Sequence, residues 1–217
     1  ELDGVALVRF RRTLDEIIEK GEIAQETELS IEQRLTAFRA EHPDFRGLSF
    51  GTIAGYGAHG AIVHYEADES SNAPLAARSF LLLDSGAHYI SGTTDITRTL
   101  PLGPLTDEER KVYTLVLKGH IALARARFPE CTQGLVLDFA ARYAMWQEGM
   151  DFGHGTGHGV GSHLCVHEGP QQIRKNTNAA STTPFVAGMT ITDEPGIYVD
   201  GKFGVRLENV LLTRESR

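Results

Sequence analysis

Apolar residues change their spacing several times along the chain, and each change marks an element. Leu2, Val5, Ala6, Val8, Leu14, Ile17 and Ile18 recur at helical spacing before Gly21, which predicts a first helix with its stop. Thr27 to Arg39 predicts a second, with Leu29, Ile31, Leu35 and Phe38 for one face. His42-Pro43 ends it, because the residue before a proline is pushed out of the helical region. From Phe50 to Tyr65 the chain is rich in glycine and β-branched residues. Phe80-Leu81-Leu82-Leu83 and the Thr-rich alternation up to Leu100 complete a set of paired strands, with a polar surface loop from Ala67 to Arg78 between.

The second half repeats the order. Thr106 followed three residues on by Glu109 has the form of a capping box, and it opens a helix through Val112, Leu115, Val116, Ile121 and Leu123 that stops near Pro129. Thr132 is expected to cap a further helix through Leu135, Leu137, Phe139, Met145 and Trp146, broken by Gly149. Gly153 to Gly161 holds too many glycines for either regular state, and Met189 to Leu212 alternates like strands around an Asp200-Gly201 turn. Helix, helix, strands, taken twice, predicts an α+β fold of two similar halves with helices on one face of the sheet.

Charge sits awkwardly on these strands. Asp84 follows an apolar run and Asp95 lies among threonines; a hairpin turning near Tyr89-Ile90 sets the two acids opposite each other on one face. Glu194 and Glu208 flank the turn at Gly201 in the same way, a pairing that a one-residue bulge would shift. Opposed carboxylates repel, and burial raises the cost. Salt bridges to Arg98 and Arg206, or plain solvation, would relieve one pair. Two pairs beside the histidine-rich run Gly153-His154-Gly155-Thr156-Gly157-His158-Gly159-Val160-Gly161 favour a cation. Carboxylates with imidazole suit Mn, Co, Zn or Fe, and the residues leave open whether His154 or His158 is the ligand. No His-Glu-x-x-His helix is present, and the glycine run lacks the Lys-Ser/Thr ending of a phosphate-binding loop.

Composition narrows the rest. With 217 residues, 41% of them hydrophobic, the chain is expected to form one domain, residues 1–217. A net charge of −8 gives no basic surface for nucleic acid. No apolar run has the length of a membrane span, and no signal peptide opens the chain. Cys131 and Cys165 are expected to be free, partly buried thiols, which together with the missing signal points to the cytoplasm. The chain starts at Glu1 directly in a helical pattern, as a piece of a longer protein would.

Six stretches, in order, resemble the pita-bread metallopeptidases, and within them the Xaa-Pro aminopeptidases (aminopeptidase P). They are Gly60-Ala61-Ile62-Val63-His64-Tyr65, Leu83-Asp84-Ser85-Gly86, Gly92-Thr93-Thr94-Asp95-Ile96-Thr97-Arg98-Thr99, the run from His154 to Pro170, Asp193-Glu194-Pro195-Gly196, and Arg206-Leu207-Glu208-Asn209. The resemblance implies a curved antiparallel sheet covered by helices in two pseudo-symmetric halves. It implies two divalent ions, Mn2+ first, with Co2+, Zn2+ or Fe2+ as alternatives. Asp84 would bind one ion, His158 and Glu194 the other, and Asp95 and Glu208 would bridge them. Glu194 would be the general base, His64, His154 and His167 would meet substrate or the tetrahedral intermediate, and Arg206 would orient a ligand carboxylate. The implied substrates are peptides with proline second, in a complete protein compatible with a homodimer. A prolidase would use the same ligands; a methionine aminopeptidase, a metal-free creatinase-like enzyme and a peptide-binding module fit the residues less well. His59, His88 and His163 stand where the family pattern has other residues, and are expected to be surface variation.

Overall fold

The computed structural model describes residues 1–216. Two helices open it, α1 (Leu2–Glu19) and α2 (Glu28–Ala40), followed by β1 (Phe45–Leu48), β2 (Ile53–Tyr56), β3 (Phe80–Ser85), β4 (Ala87–Tyr89), β5 (Gly92–Thr93) and β6 (Ile96–Pro101). A second pair of helices, α3 (Asp107–Ala124) and α4 (Gly134–Trp146), precedes β7 (Gly157–Val160), β8 (His167–Ile173), β9 (Thr190–Asp193), β10 (Gly196–Val199), β11 (Phe203–Arg206) and β12 (Asn209–Leu212). The expected repeat is therefore present, and every strand pairing among the described residues is antiparallel. One helix pair packs on each half: Phe10, Leu14, Ile31 and Leu35 bury against Ala54, Leu81 and Leu83, while Val112, Val116 and Met145 bury against Phe80, Phe203 and Val205. Because its alternating side chains enter both clusters, β3 is the strand the two halves share, and it is buried along its whole length.

Helix ends follow local chemistry. Thr106 and Glu109 form the expected capping box, and Thr27 makes another with Ser30. Thr132 does not cap α4. Its hydroxyl donates to Pro129 O, the cap position falls on Gln133 without a side-chain bond, and Gly134 starts the helix where a Cβ would lie 1.8 Å from Gln172 O. Steric fit against β8 sets that end, and a capping preference of about 1 kcal/mol does not compete with it.

Three expectations about strands change. Phe50 to Tyr65 contains only four strand residues, Ile53–Tyr56, before a short 3-10 turn from Gly57 to Ala61; Gly57 has φ +54 there. The glycine run is not irregular throughout: Gly157–Val160 is a strand, and the His167-Gly169 segment begins its partner. A Cβ on Gly157 or Gly159 would stand 1.9 or 2.0 Å from Thr192 O or Glu168 O, so glycine is what lets the neighbouring backbones come this close. The first hairpin turns one residue later than expected, at Ile90-Ser91, which puts Thr97 and not Asp95 opposite Asp84. Cys131 and Cys165 are free, as expected, but exposed.

Candidate metal centre

Each acid stands at or just beyond a strand end. Asp84 is the fifth residue of β3, and Asp95 precedes β6, across from Gly86 in the register that β3 and β6 share with β4 and β5. Gly86 admits no side chain, since a Cβ would lie 2.1 Å from Thr94 O. The two-residue slip keeps Asp84 and Asp95 on one face as diagonal neighbours. In the second half the ladders β9–β12 and β10–β11 run in a single register that brackets Glu194 and Glu208, as the sequence predicts. Glu194 N bonds to Thr156 O (2.9 Å) and Glu208 N to Thr97 O (3.2 Å), which ties the second acid pair to both β6 and the His158 strand.

The side chains converge. One ligand atom each from Asp95, His158 and Glu208 lies within 4.8 Å of the others. His158 Nε2 is 3.4 Å from Asp95 Oδ2 and 3.3 Å from Glu194 Oε1. Its Nδ1–H donates to Gly159 O (2.9 Å), which leaves the Nε2 lone pair facing the acids. Arg206 Nη2 donates to Asp84 Oδ2 (2.8 Å), Thr97 Oγ1 to Glu208 Oε2 (2.8 Å) and Thr192 Oγ1 to Glu194 Oε1 (3.1 Å). Asp84 Oδ1 and Glu208 Oε1 are buried with no partner. Asp84, Asp95, His158, Glu194 and Arg206 line a cavity of about 470 Å³ that also receives His64, His154 and His167, with Phe50, Ile53, Val63 and Val166 as apolar wall.

Electrostatics describe a site short of positive charge. Burial raises Glu194 to about 7 against the pull of His158 and Arg206, and burial with the neighbouring acids raises Glu208 well above the carboxylate range. Asp95 is raised by burial, with Asp84 adding to it. Burial disfavours the His158 imidazolium, yet Asp95 and Glu194 outweigh it and raise the group. His154, by contrast, is lowered to about 4 by burial and the positive charges of Arg206 and Arg142, and His167 is lowered by burial and His158. The ring of His154 is held from both sides, Nδ1 to Gly155 O and Nε2 to Tyr198 OH, each at 2.7 Å.

A donor set of carboxylate oxygens and one imidazole, with two orphaned oxygens among them, fits divalent cations. The comparisons agree. Residues 1–215 match metallopeptidase family M24. The chain is a member of that family.

Among M24 relatives, a probable Xaa-Pro aminopeptidase P of Laccaria bicolor is 49% identical over 98% of this chain and 33% of its own length. The Xaa-Pro aminopeptidase 1 of Dictyostelium discoideum is 47% identical over 97% of this chain and 33% of its own. The chain thus spans about a third of these relatives. The X-prolyl aminopeptidase of Caenorhabditis elegans, described as a cytosolic enzyme with a di-nuclear active site, superposes with a TM-score of 0.92 at 43% identity over 99% of this chain and 34% of that one. A prolidase from Pyrococcus furiosus gives 0.79 at 27% over 95% and 58%. The architecture is accordingly the α+β pita-bread fold of the M24 enzymes.

Several residues of this M24 site lie outside the motifs read from sequence. Tyr198 bridges His154 to Arg206, accepting from Arg206 Nη1 at 2.8 Å, and is itself pushed up to about 12 by burial. Its spacing of four from Glu194 gives no warning. Asp138 and Arg142, spaced i to i+4 on α4, pair at 2.6 Å, and the arginine continues to Phe152 O and His154 O while Asp138 accepts from Thr156. Only that helical spacing could have flagged them. His120 reads the back of the site, with Nδ1–H toward Asp193 O (3.1 Å) and Nε2 accepting from Asn209 (2.9 Å). His59 is not surface variation: it meets the buried Glu28 at 2.9 Å and stacks on Tyr65. His88 is also nearly buried, at 9% exposure.

Proposed function

We propose that this chain is the catalytic part of a metallo-aminopeptidase that removes the residue preceding an N-terminal X-Pro bond, using two divalent ions. The observation that carries this is the gathering of Asp95, His158 and Glu208 within 4.8 Å, next to Asp84 and Glu194, with oxygens left unpaired. Asp84 would hold one ion, His158 and Glu194 the other, with Asp95 and Glu208 shared. Such ions would lower the pKa of a bound water and polarise a carbonyl.

The protein's own groups supply the remainder. Glu194, whose Oε1 lies 3.3 Å from His158 Nε2, would take the proton from the attacking water. Of the two imidazoles that could stabilise charge on the scissile carbonyl, His154 or His167, we favour His167, whose ring lies 4.2 Å from that of His158, because both ring nitrogens of His154 are bonded, to Gly155 O and Tyr198 OH. Arg206 holds Asp84 in place. His64 lies on the cavity wall where the proline ring would pack, and a tertiary amide offers no N–H there to recognise. Mn2+ is our choice of metal from the oxygen-rich donor set, with Co2+, Zn2+ and Fe2+ behind it. The similar enzyme of Caenorhabditis elegans is described as cytosolic, and we place this protein in the cytoplasm on that likeness. Val136, Phe139, Tyr143 and Trp146 present an exposed apolar stripe on α4 that would serve a homodimer.

A prolidase is the second reading, favoured by the prolidases among the similar folds. Assay of the complete protein with added Mn2+ on Arg-Pro-Pro, Gly-Pro and Met-Ala peptides separates the cases. Release of arginine from the first is expected; cleavage of Gly-Pro alone would make it a prolidase, and a chain that takes up no divalent ion would be a binding module.

A further inference from the structure

Two of the histidines that depart from the family pattern meet each other. His88 lies on β4, and His163 on the loop between β7 and β8; their rings are 4.9 Å apart between centroids and inclined at 57°. The contact is part of a wider approach, since a Cβ on Gly92 at the hairpin tip would come 3.9 Å from Ser162 O. His88 Nδ1 is 2.9 Å from Thr93 Oγ1. With that hydroxyl accepting, the proton sits on Nδ1 and the Nε2 lone pair is left without a partner among the described residues. His163 is exposed and makes no side-chain hydrogen bond among the described residues, so its ring is free to turn.

We propose that His88 and His163 form an accessory site for one borderline divalent cation, of which Zn2+ is the probe of choice, separate from the carboxylate centre. Metal–nitrogen bonds of about 2.0–2.1 Å put the centroids of two imidazoles on one tetrahedral ion about 5 Å apart, close to the observed 4.9 Å. Imidazole nitrogen suits zinc, copper and nickel better than the hard ions that the carboxylates prefer. Burial and the neighbouring His163 keep His88 lowered and hence neutral at neutral pH, the form that binds metal. Solvent completes the coordination from the exposed side. The consequence is mechanical: an ion here ties the β4–β5 hairpin, which lies between Asp84 and Asp95, to the loop between His158 and His167.

Zinc titration of the complete protein tests this, in a Cys131→Ser, Cys165→Ser background so that the exposed thiols do not compete. With the carboxylate centre already filled by zinc, one further equivalent is expected to bind. His163→Phe, on the exposed loop, and His88→Gln should each weaken that last ion by at least about 10-fold. Because His88→Gln removes a nearly buried group, His163→Phe alone decides the case if the former fails to fold. Titration curves for His163→Phe indistinguishable from those of its parent would show that the two rings only pack, as aromatic pairs at this distance do, and would overturn the proposal. The difference of one ion does not require the carboxylate centre to bind two, so failure of the dinuclear reading would appear separately, as a lower total in parent and variant alike.

Discussion

The two halves solve one problem with different means. Both bring two acids to adjacent strand ends, and both carry a buried arginine–aspartate pair. In the first half Arg39 (0% exposed) pairs with Asp3 at 2.6 Å, and Ser85 and Tyr89 join the network. That cluster fastens α1 and α2 to the β3 and β4 strands behind the site. In the second half Arg142 (0% exposed) pairs with Asp138 and with Asp151, each at 2.6 Å, and also donates to Phe152 O and His154 O, in the loop that enters the cavity. A buried ion pair gains little over an apolar one, yet losing one member is costly. The halves therefore differ in where that cost falls: on the fold alone in the first, on the fold and the site together in the second. The hairpins differ likewise. The register of the second hairpin sets Glu194 across from Glu208, whereas that of the first, whose turn falls one residue later than the acids would need, sets Asp84 opposite Thr97 and Asp95 across from Gly86.

Glu194→Gln gives the largest expected effect. It removes the proton acceptor while keeping shape, and kcat on Arg-Pro-Pro should fall by a factor of about 10² to 10⁴. Steady-state kinetics check this, and unchanged turnover would remove Glu194 from the base role. The paired variants Asp3→Ala and Asp138→Ala test the contrast between halves directly. Asp3→Ala leaves the buried Arg39 without a carboxylate and should cost about 3–5 kcal/mol in urea unfolding, whereas after Asp138→Ala the buried Arg142 keeps its 2.6 Å pair with Asp151 and the cost should be smaller. Only Asp138→Ala should also lower kcat in the fraction that remains folded, because Thr156 loses its acceptor and Arg142, which holds the His154 carbonyl, loses one of its two carboxylates. Equal kinetics in the two variants would erase the distinction.

The smallest effect concerns pH. In the metal-free protein the folded state holds protons on Glu194 (raised from 4.5 to about 7) and Asp193 (raised from 3.8 to about 6) that the unfolded chain has released. For an acid with a raised folded pKa, stability is whole below the unfolded value and declines as pH climbs through the folded one. Glu208, Asp95 and His158, all raised, act with the same sign, while the lowered His154 and His167 oppose them. The melting temperature in chelator should therefore fall between pH 5 and 7, and the gain on adding Mn2+ should grow over the same interval. A melting temperature that rises with pH in chelator would contradict the account.

Legibility followed the range of the forces involved. Helices α1, α2 and α3 were readable because periodicity and capping boxes are local, and the acids stood out because a carboxylate inside an apolar or Thr-rich strand is locally anomalous. Strand β7 was not readable: composition argues against a strand at Gly157-His158-Gly159, and the reason for the glycines, Thr192 O and Glu168 O pressing against them, lies far along the chain. The start of α4 at Gly134 has the same origin. Hairpin register was predictable only where the turn residue was: the Asp200-Gly201 signal is strong, with Gly201 at φ +68, whereas Ile90-Ser91 carries no such mark.

By itself, then, the sequence determined the order of elements, the apolar faces that become the two cores, and the acids that burial forces together, since each depends on residues near one another in the chain. Tertiary structure alone decided which histidine nitrogen faces the acids, that Tyr198 and Arg206 join His154 to Asp84, and that His88 meets His163. Arg206 with Asp84 and His88 with His163 join residues that are far apart in sequence, and only the packing of one half against the other sets their distances.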